Sequence, residues 1–267
     1  MPTPRTYNTQ GIVIKDMQLG DADRIVTVYT PDRGKLRAVV KGARRTQSRK
    51  GGQLQPLTEV RISIVIGSSL DNITEVETVN SNRGLREDLG LLSQAIYVAE
   101  LVDGFTADGA VNPREYELLA SILAALQVVE DTEQLMRYCE VQLLTMSGFG
   151  PEFGQCVECG ANLDPQDHLL SCIAGGLVGP ECKVSTGDPL IHLSMNSIKV
   201  LRFFQDVGLA EAQSLPLTEE IKSEVKRVLA AYLAYVLDRE PRSAGFVTQV
   251  AAMGKTDSGG PLGSTST

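Results

Sequence analysis

The chain has 267 residues, 42% apolar and 22% charged, the balance of an ordinary globular protein with room for one large domain or two smaller ones. Its net charge of −8 is unevenly spread: residues 1–80 hold 12 Lys and Arg against 8 Asp and Glu, the remainder 13 against 25. No stretch approaches about 18 apolar residues, and the opening MPTPRTYNTQ lacks an apolar core, so a membrane span and a secretory leader are not expected and a cytoplasmic protein is.

From residue 11 to about residue 79 the pattern is one of short alternating strands. GIVIKDMQLG, RIVTVYT, KLRAVV, VRISIVIG and ITEVETV read as five strands rich in β-branched residues, with turn signals at residues 19–21, 31–34 and 67–69. Five strands in about 70 residues is the size of a small closed barrel. An OB-like barrel is the commonest such design that binds nucleic acid, and an SH3-like barrel fits the pattern equally.

The densest charge lies at residues 33–52, RGKLRAVVKGARRTQSRKGG. Arg33, Lys35, Arg37, Lys41, Arg44, Arg45, Arg49 and Lys50 are basic, and no residue there is acidic. Strand alternation puts Leu36, Ala38 and Val40 on one face and Lys35, Arg37 and Val39 on the other. Beyond Gly42 the segment has the composition of a mobile surface loop. A strand feeding a basic loop suits a phosphate-tracking surface better than a core element. A solvated charged face is the alternative.

From Arg83 the period changes to helical. Apolar residues at 85, 89, 92, 96 and 99 form a stripe, Asn112-Pro113 opens a second helix, and residues 131–133 open a third that stops at Gly148. Cys139, in the middle of that helix, reads as a small buried hydrophobe. Residues 151–193 look irregular and hold the other four cysteines. Helix returns at residues 194–207, with Ser194 as N-cap, and a last helix is expected over residues 218–237. The closing stretch, rich in Gly, Ser and Thr, is expected to be disordered.

CVEC at 156–159 is a C-x2-C knuckle, and Cys172 and Cys182 follow. Four thiolates suit tetrahedral Zn²⁺ in a structural site. The second half is imperfect, because GPEC puts Gly179 where a paired Cys would stand. Cys172 or His168 is left as the fourth ligand, and a metal-free knuckle held by packing is the alternative. Neither His168 nor His192 accompanies a nucleophile pattern, and no phosphate-binding or metalloprotease motif appears, so an enzyme is not expected.

Basic barrel, helical bundle and inserted knuckle, in this order, resemble the bacterial recombination mediator RecO family. The likeness rests on the opening barrel with Gly20, Asp23-Arg24, Gly34-Lys35 and the loop of residues 41–44, and on LREDL, AELVD, CVECG, AGGLV and YLAYVLDREPRS further on. It implies an α+β fold: an OB-fold domain over residues 1–80, an all-α domain over 81–250 with a zinc-finger-like insertion at about 151–193, and a disordered tail over 251–267. It also implies a non-enzymatic mediator that binds single- and double-stranded DNA. Such a protein anneals strands coated by single-stranded DNA-binding protein (SSB) and, with RecR, helps load RecA. Phosphate contacts are then expected from Arg24, Lys35, Arg37, Lys41, Arg44, Arg45, Arg49 and Lys50. A zinc ion is expected at Cys156, Cys159, Cys172 and Cys182, although many zinc-binding members have Cys where this chain has Gly179. With no Trp and few aromatics, of which Tyr29 is best placed, charge is expected to outweigh base stacking. A partner scaffold with secondary DNA contact is the competing reading.

Overall fold

The computed structural model describes residues 6–183 and 187–257. Five strands, β1 (Thr6–Leu19), β2 (Asp23–Thr30), β3 (Gly34–Val40), β4 (Glu59–Val65) and β5 (Asp71–Asn80), close into a barrel in the order β1-β2-β3-β5-β4. A short helix, α1 (Arg49–Gln53), lies between β3 and β4. That strand order with its intervening helix is the OB fold and removes the SH3-like alternative. The barrel closes through a parallel seam, in which Ala38 and Val39 of β3 pair with Asp71 and Asn72 of β5. Its interior is filled by residues such as Val13, Val26, Val28, Ala38, Val40, Ile62 and Ile64. The alternation expected of KLRAVV therefore holds for its inward face.

Helices follow: α2 (Arg83–Glu87), α3 (Leu89–Phe105), α4 (Pro113–Ala125) and α5 (Thr132–Met146). Asp88, Asn112 and Asp131 cap the last three by accepting backbone N–H bonds from Leu91, Arg114 and Gln134. The segment expected to be irregular contains a small antiparallel sheet of β6 (His168–Ser171), β7 (Gly176–Val178) and β8 (Leu190–Leu193), in the order β7-β6-β8. Then come α6 (Met195–Asp206), α7 (Leu209–Ser214), α8 (Glu219–Val236) and α9 (Arg242–Asp257). Ser194 caps α6 as expected.

The expected last helix is followed by α9, so chain assigned to a disordered tail from residue 251 is helical as far as Asp257. Residues 258–267, where the rest of that expectation falls, lie outside the described residues. Composition misled here because α9 draws its order from packing on α3 and from a side-chain cap supplied by a distant helix. The Glu100 carboxylate on α3 accepts the backbone N–H groups of Arg242 and Ser243, the Ser243 hydroxyl, and the Arg239 guanidinium. Burial alone would raise its pKa. The Arg239 and Ser243 hydrogen bonds outweigh burial and hold it at about 2. A depressed carboxylate adds stability above its unfolded value of about 4.5, and that stability drains as pH falls towards 2. Glu100→Gln should therefore loosen α9 at neutral pH, read as faster amide exchange along α9. In the parent chain the same loosening should appear only between about pH 4.5 and 2.

Barrel and bundle share one apolar core. Ile12, Ile14 and Tyr29 on the outside of the barrel, with Leu57, join the cluster that contains Leu101, Leu119 and Leu144 of the helices. Polar contacts fix the angle of docking. The Tyr29 hydroxyl donates to Glu115 at 2.6 Å, Tyr116 donates to Glu59 at 2.9 Å, and Asn82 donates to the Leu57 carbonyl at 2.8 Å. Gly34 has a φ of 63°, and a Cβ there would lie 2.0 Å from the Ala110 carbonyl oxygen. Only glycine permits that approach of the α3–α4 loop to the β2–β3 turn.

Candidate nucleic-acid interface and thiol cluster

The β2–β3 hairpin decides which basic residues face solvent. On its outer face Tyr29 pairs with Lys35, Thr27 with Arg37 and Ile25 with Val39. The bundle covers the first of these pairs and leaves Arg37 exposed. Lys35 is 6% exposed, and its ammonium donates to the Asp103 carbonyl at 2.7 Å and to the Asp103 carboxylate at 3.1 Å. This corrects the expectation of a phosphate contact at Lys35, which ties barrel to bundle instead. Tyr29 is wholly buried, so it offers no face to a base. Alternation identified the outer face correctly, but local sequence cannot show that another domain covers half of it.

Beyond β3 the chain forms a tight, pinned turn rather than the mobile loop that its composition suggested. The Gly42 N–H donates to Asp23, the Arg44 N–H to the Ala22 carbonyl, and the Arg44 guanidinium to the Gly20 carbonyl. Ala43 is buried, and α1 packs so closely on it that a Cβ at Gly51 would lie 2.0 Å from its carbonyl oxygen. Ser48 caps α1 by accepting the Gly51 N–H. Lys41, Arg44, Arg45 and Arg49 are thereby held exposed, with Lys50 half-buried beside them. None of these five makes an ion pair among the described residues. By contrast, Arg24 pairs with Asp16 at 3.2 Å and Arg37 with Asp108 at 3.4 Å. Arg33 stacks over the Tyr7 ring at 4.0 Å. The eight basic residues of residues 33–52 thus divide between tethered cations and an unpaired cluster on a rigid platform. Asp23, which orders that platform, gave no signal in the sequence beyond its place beside Arg24.

The thiols form a second site. The Sγ atoms of Cys156, Cys159 and Cys182 lie within 4.8 Å of one another, and Cys156 and Cys182 are 3.5 Å apart. Three sulfurs about 2.3 Å from a shared zinc ion at tetrahedral angles would be about 3.8 Å apart, so the set fits such an ion. Burial opposes charge on Cys156, but backbone N–H groups of Gly179, Cys159 and Glu158 outweigh it and lower its pKa. Hydrogen bonds to Cys159 and Cys156 raise that of Cys182.

Cys172 does not join them, which corrects its expected role as a ligand. It is 4% exposed in the main apolar core, where burial pushes its thiol up to about 11. His168 also stands outside the three-sulfur cluster, with its Nε2–H donating to the Asp164 carbonyl at 2.9 Å. Only the C-x2-C spacing reported real proximity; the nine residues between Cys172 and Cys182 carried no such constraint. No helix among the described residues is long and apolar enough to cross a membrane.

The comparisons with known proteins agree along the chain. Residues 3–82 match the family model described as "Recombination protein O N terminal", and residues 86–244 that described as "Recombination protein O C terminal". The chain is 33% identical over 263 residues to the DNA repair protein RecO of Roseiflexus sp. (strain RS-1), covering 98% of this chain and 92% of that one. It is 34% identical over 244 residues to that of Symbiobacterium thermophilum, covering 90% and 96%. With that of Dehalococcoides mccartyi (strain 195) the figures are 32% over 244 residues, covering 91% and 95%.

Proposed function

The chain belongs to the RecO family of DNA repair and recombination proteins, and from that premise we propose that it is a non-enzymatic annealing and loading mediator. It binds single- and double-stranded DNA through the β3–α1 turn, anneals complementary strands coated by SSB, and works with RecR to load RecA, as a cytoplasmic, nucleoid-associated protein. The observation that carries this reading is the unpaired cluster of Lys41, Arg44, Arg45, Arg49 and Lys50 on an ordered turn. Cations without acidic partners are ready to displace counterions from phosphates, and annealing needs two backbones held close without base readout. Arg24 and Arg37 are contacts that must first leave Asp16 and Asp108, and Lys35 is left out of the set.

The barrel–bundle junction suits the acidic, apolar-ended SSB tail. A cleft of about 500 Å³ there is lined by Ile14, Ile96 and Phe246 together with Lys15, Arg239 and Arg242 and the carboxylates of Glu100 and Asp103, so an acidic tail must draw Arg239 away from Glu100. In the thiol cluster the resident ion is zinc, held by Cys156, Cys159 and Cys182, and it serves structure by tying the knuckle to the segment after β7.

The test is annealing of complementary oligonucleotides precoated with SSB. The intact protein should accelerate it strongly at low salt, and the acceleration should fade as salt rises. No acceleration at any salt would leave the protein a partner scaffold.

A further inference from the structure

A structural zinc site has four protein ligands, whereas this cluster supplies three among the described residues. The fourth place is identifiable. A Cβ built on Gly179 would sit 3.6 Å from the Cys156 sulfur, in ordinary contact, and the backbone of Gly179 lies outside the left-handed region. A cysteine would fit there without strain, so it is the missing side chain, and not the fold, that leaves the position vacant. Instead the Gly179 N–H donates to the Cys156 sulfur at 3.2 Å.

The position also has an entrance. A cleft of about 330 Å³ opens beside Gly179 and Cys182, bounded by Val178, Pro180, Asp167, His168 and His192. His192 is exposed and stands 3.7 Å from Asp167, so the mouth is polar and wet.

We propose that the metal site of this chain is three-thiolate and open at Gly179, and that its fourth ligand is exchangeable: water in the absence of other donors, or a small thiol entering through this cleft. On exchange the thiol binds as thiolate, releasing its proton to solvent and displacing the water. Such an open site holds its ion less firmly than a closed four-thiolate site and exchanges it with external thiols. The inference rests on the zinc reading above, and the experiment separates the two.

The full-length chain is stripped with a chelator, reduced with a phosphine so that no thiol is present, and loaded with Co²⁺ in place of Zn²⁺. Thiolate-to-cobalt charge-transfer absorption is expected, with visible bands weaker and at shorter wavelength than those of a four-thiolate site. Adding 2-mercaptoethanol should move these bands to longer wavelength and intensify them. Gly179→Cys should show the longer-wavelength spectrum without added thiol and ignore the addition, and Cys172→Ser should behave as the parent. With zinc loaded, the parent should lose the ion to a chelator at least about tenfold faster than Gly179→Cys. A four-thiolate spectrum from the parent in thiol-free buffer, or bands indifferent to mercaptoethanol, would overturn the open position while keeping the metal. No charge-transfer absorption in the parent would overturn the zinc reading itself, whether or not Gly179→Cys takes up cobalt.

Discussion

Reversing three charges on the β3–α1 turn, in a Lys41→Glu/Arg44→Glu/Arg45→Glu variant, should weaken binding to single-stranded DNA by about a hundredfold or more at low salt. Each exposed cation–phosphate contact contributes on the order of 1 kcal/mol, so three lost contacts amount to about 3 kcal/mol before any repulsion from the new carboxylates. The salt dependence carries more information than the affinity. Three fewer displaced counterions should flatten the log–log slope by about 2 on single strands and by about 2.7 on duplex. Annealing of SSB-coated strands should fail in parallel. Stability should change little, because the three side chains are exposed and the turn is pinned mainly by backbone groups of Gly42 and Arg44. A variant that binds and anneals like the parent, with an unchanged slope, would remove this turn from the DNA interface.

Lys35→Ala should behave in the opposite way, although Lys35 is only six residues from Lys41. Its ammonium is buried against the carbonyl and carboxylate of Asp103, with Lys15 on the other carboxylate oxygen at 2.9 Å. Burial alone would raise the Asp103 pKa, but the hydrogen bonds from Lys15 and Lys35 outweigh it and hold the group below the usual carboxylate range. Breaking one partner of a buried pair typically costs about 3–5 kcal/mol. Because Lys15 stays and Asp103 keeps some solvent, about 2–3 kcal/mol is expected here. Urea unfolding measures it directly. The salt slope of DNA binding should match the parent's under conditions where the variant is folded. A loss of slope with unchanged stability would return Lys35 to the phosphate surface.

These two lysines mark how far the sequence could be read. The strands were legible because inward positions such as Ala38 and Val40 alternate with outward ones, and the caps because Ser194 and Asp131 stand where helices begin. What covers the outward face was not legible. Asp103 on α3, which takes Lys35, lies 68 residues away in the chain, and nothing in the local pattern refers to it. Tyr29 went astray for the same reason. Helix α1 was missed because RKGGQ has two glycines and no apolar period; it is held by Ser48 and by its fit against Ala43. In the thiol cluster, Cys156 and Cys159 follow from their spacing, whereas that Cys182 joins them and Cys172 does not depends on how β6 and β7 place two loops. The glycine at 179 was visible from the start, but its meaning awaited the 3.6 Å between a Cβ built there and the Cys156 sulfur.

The single core running from Ile12 and Tyr29 into the helices makes the molecule a bracket rather than a hinge. A strand seated on the basic turn is presented to whatever occupies the bundle at one bearing and one distance. Neither module can swing to meet the other, so the moving part in strand pairing is the nucleic acid, which must bend or slide to bring its complement into register. The same continuity requires the two modules to melt together, as one cooperative transition rather than two.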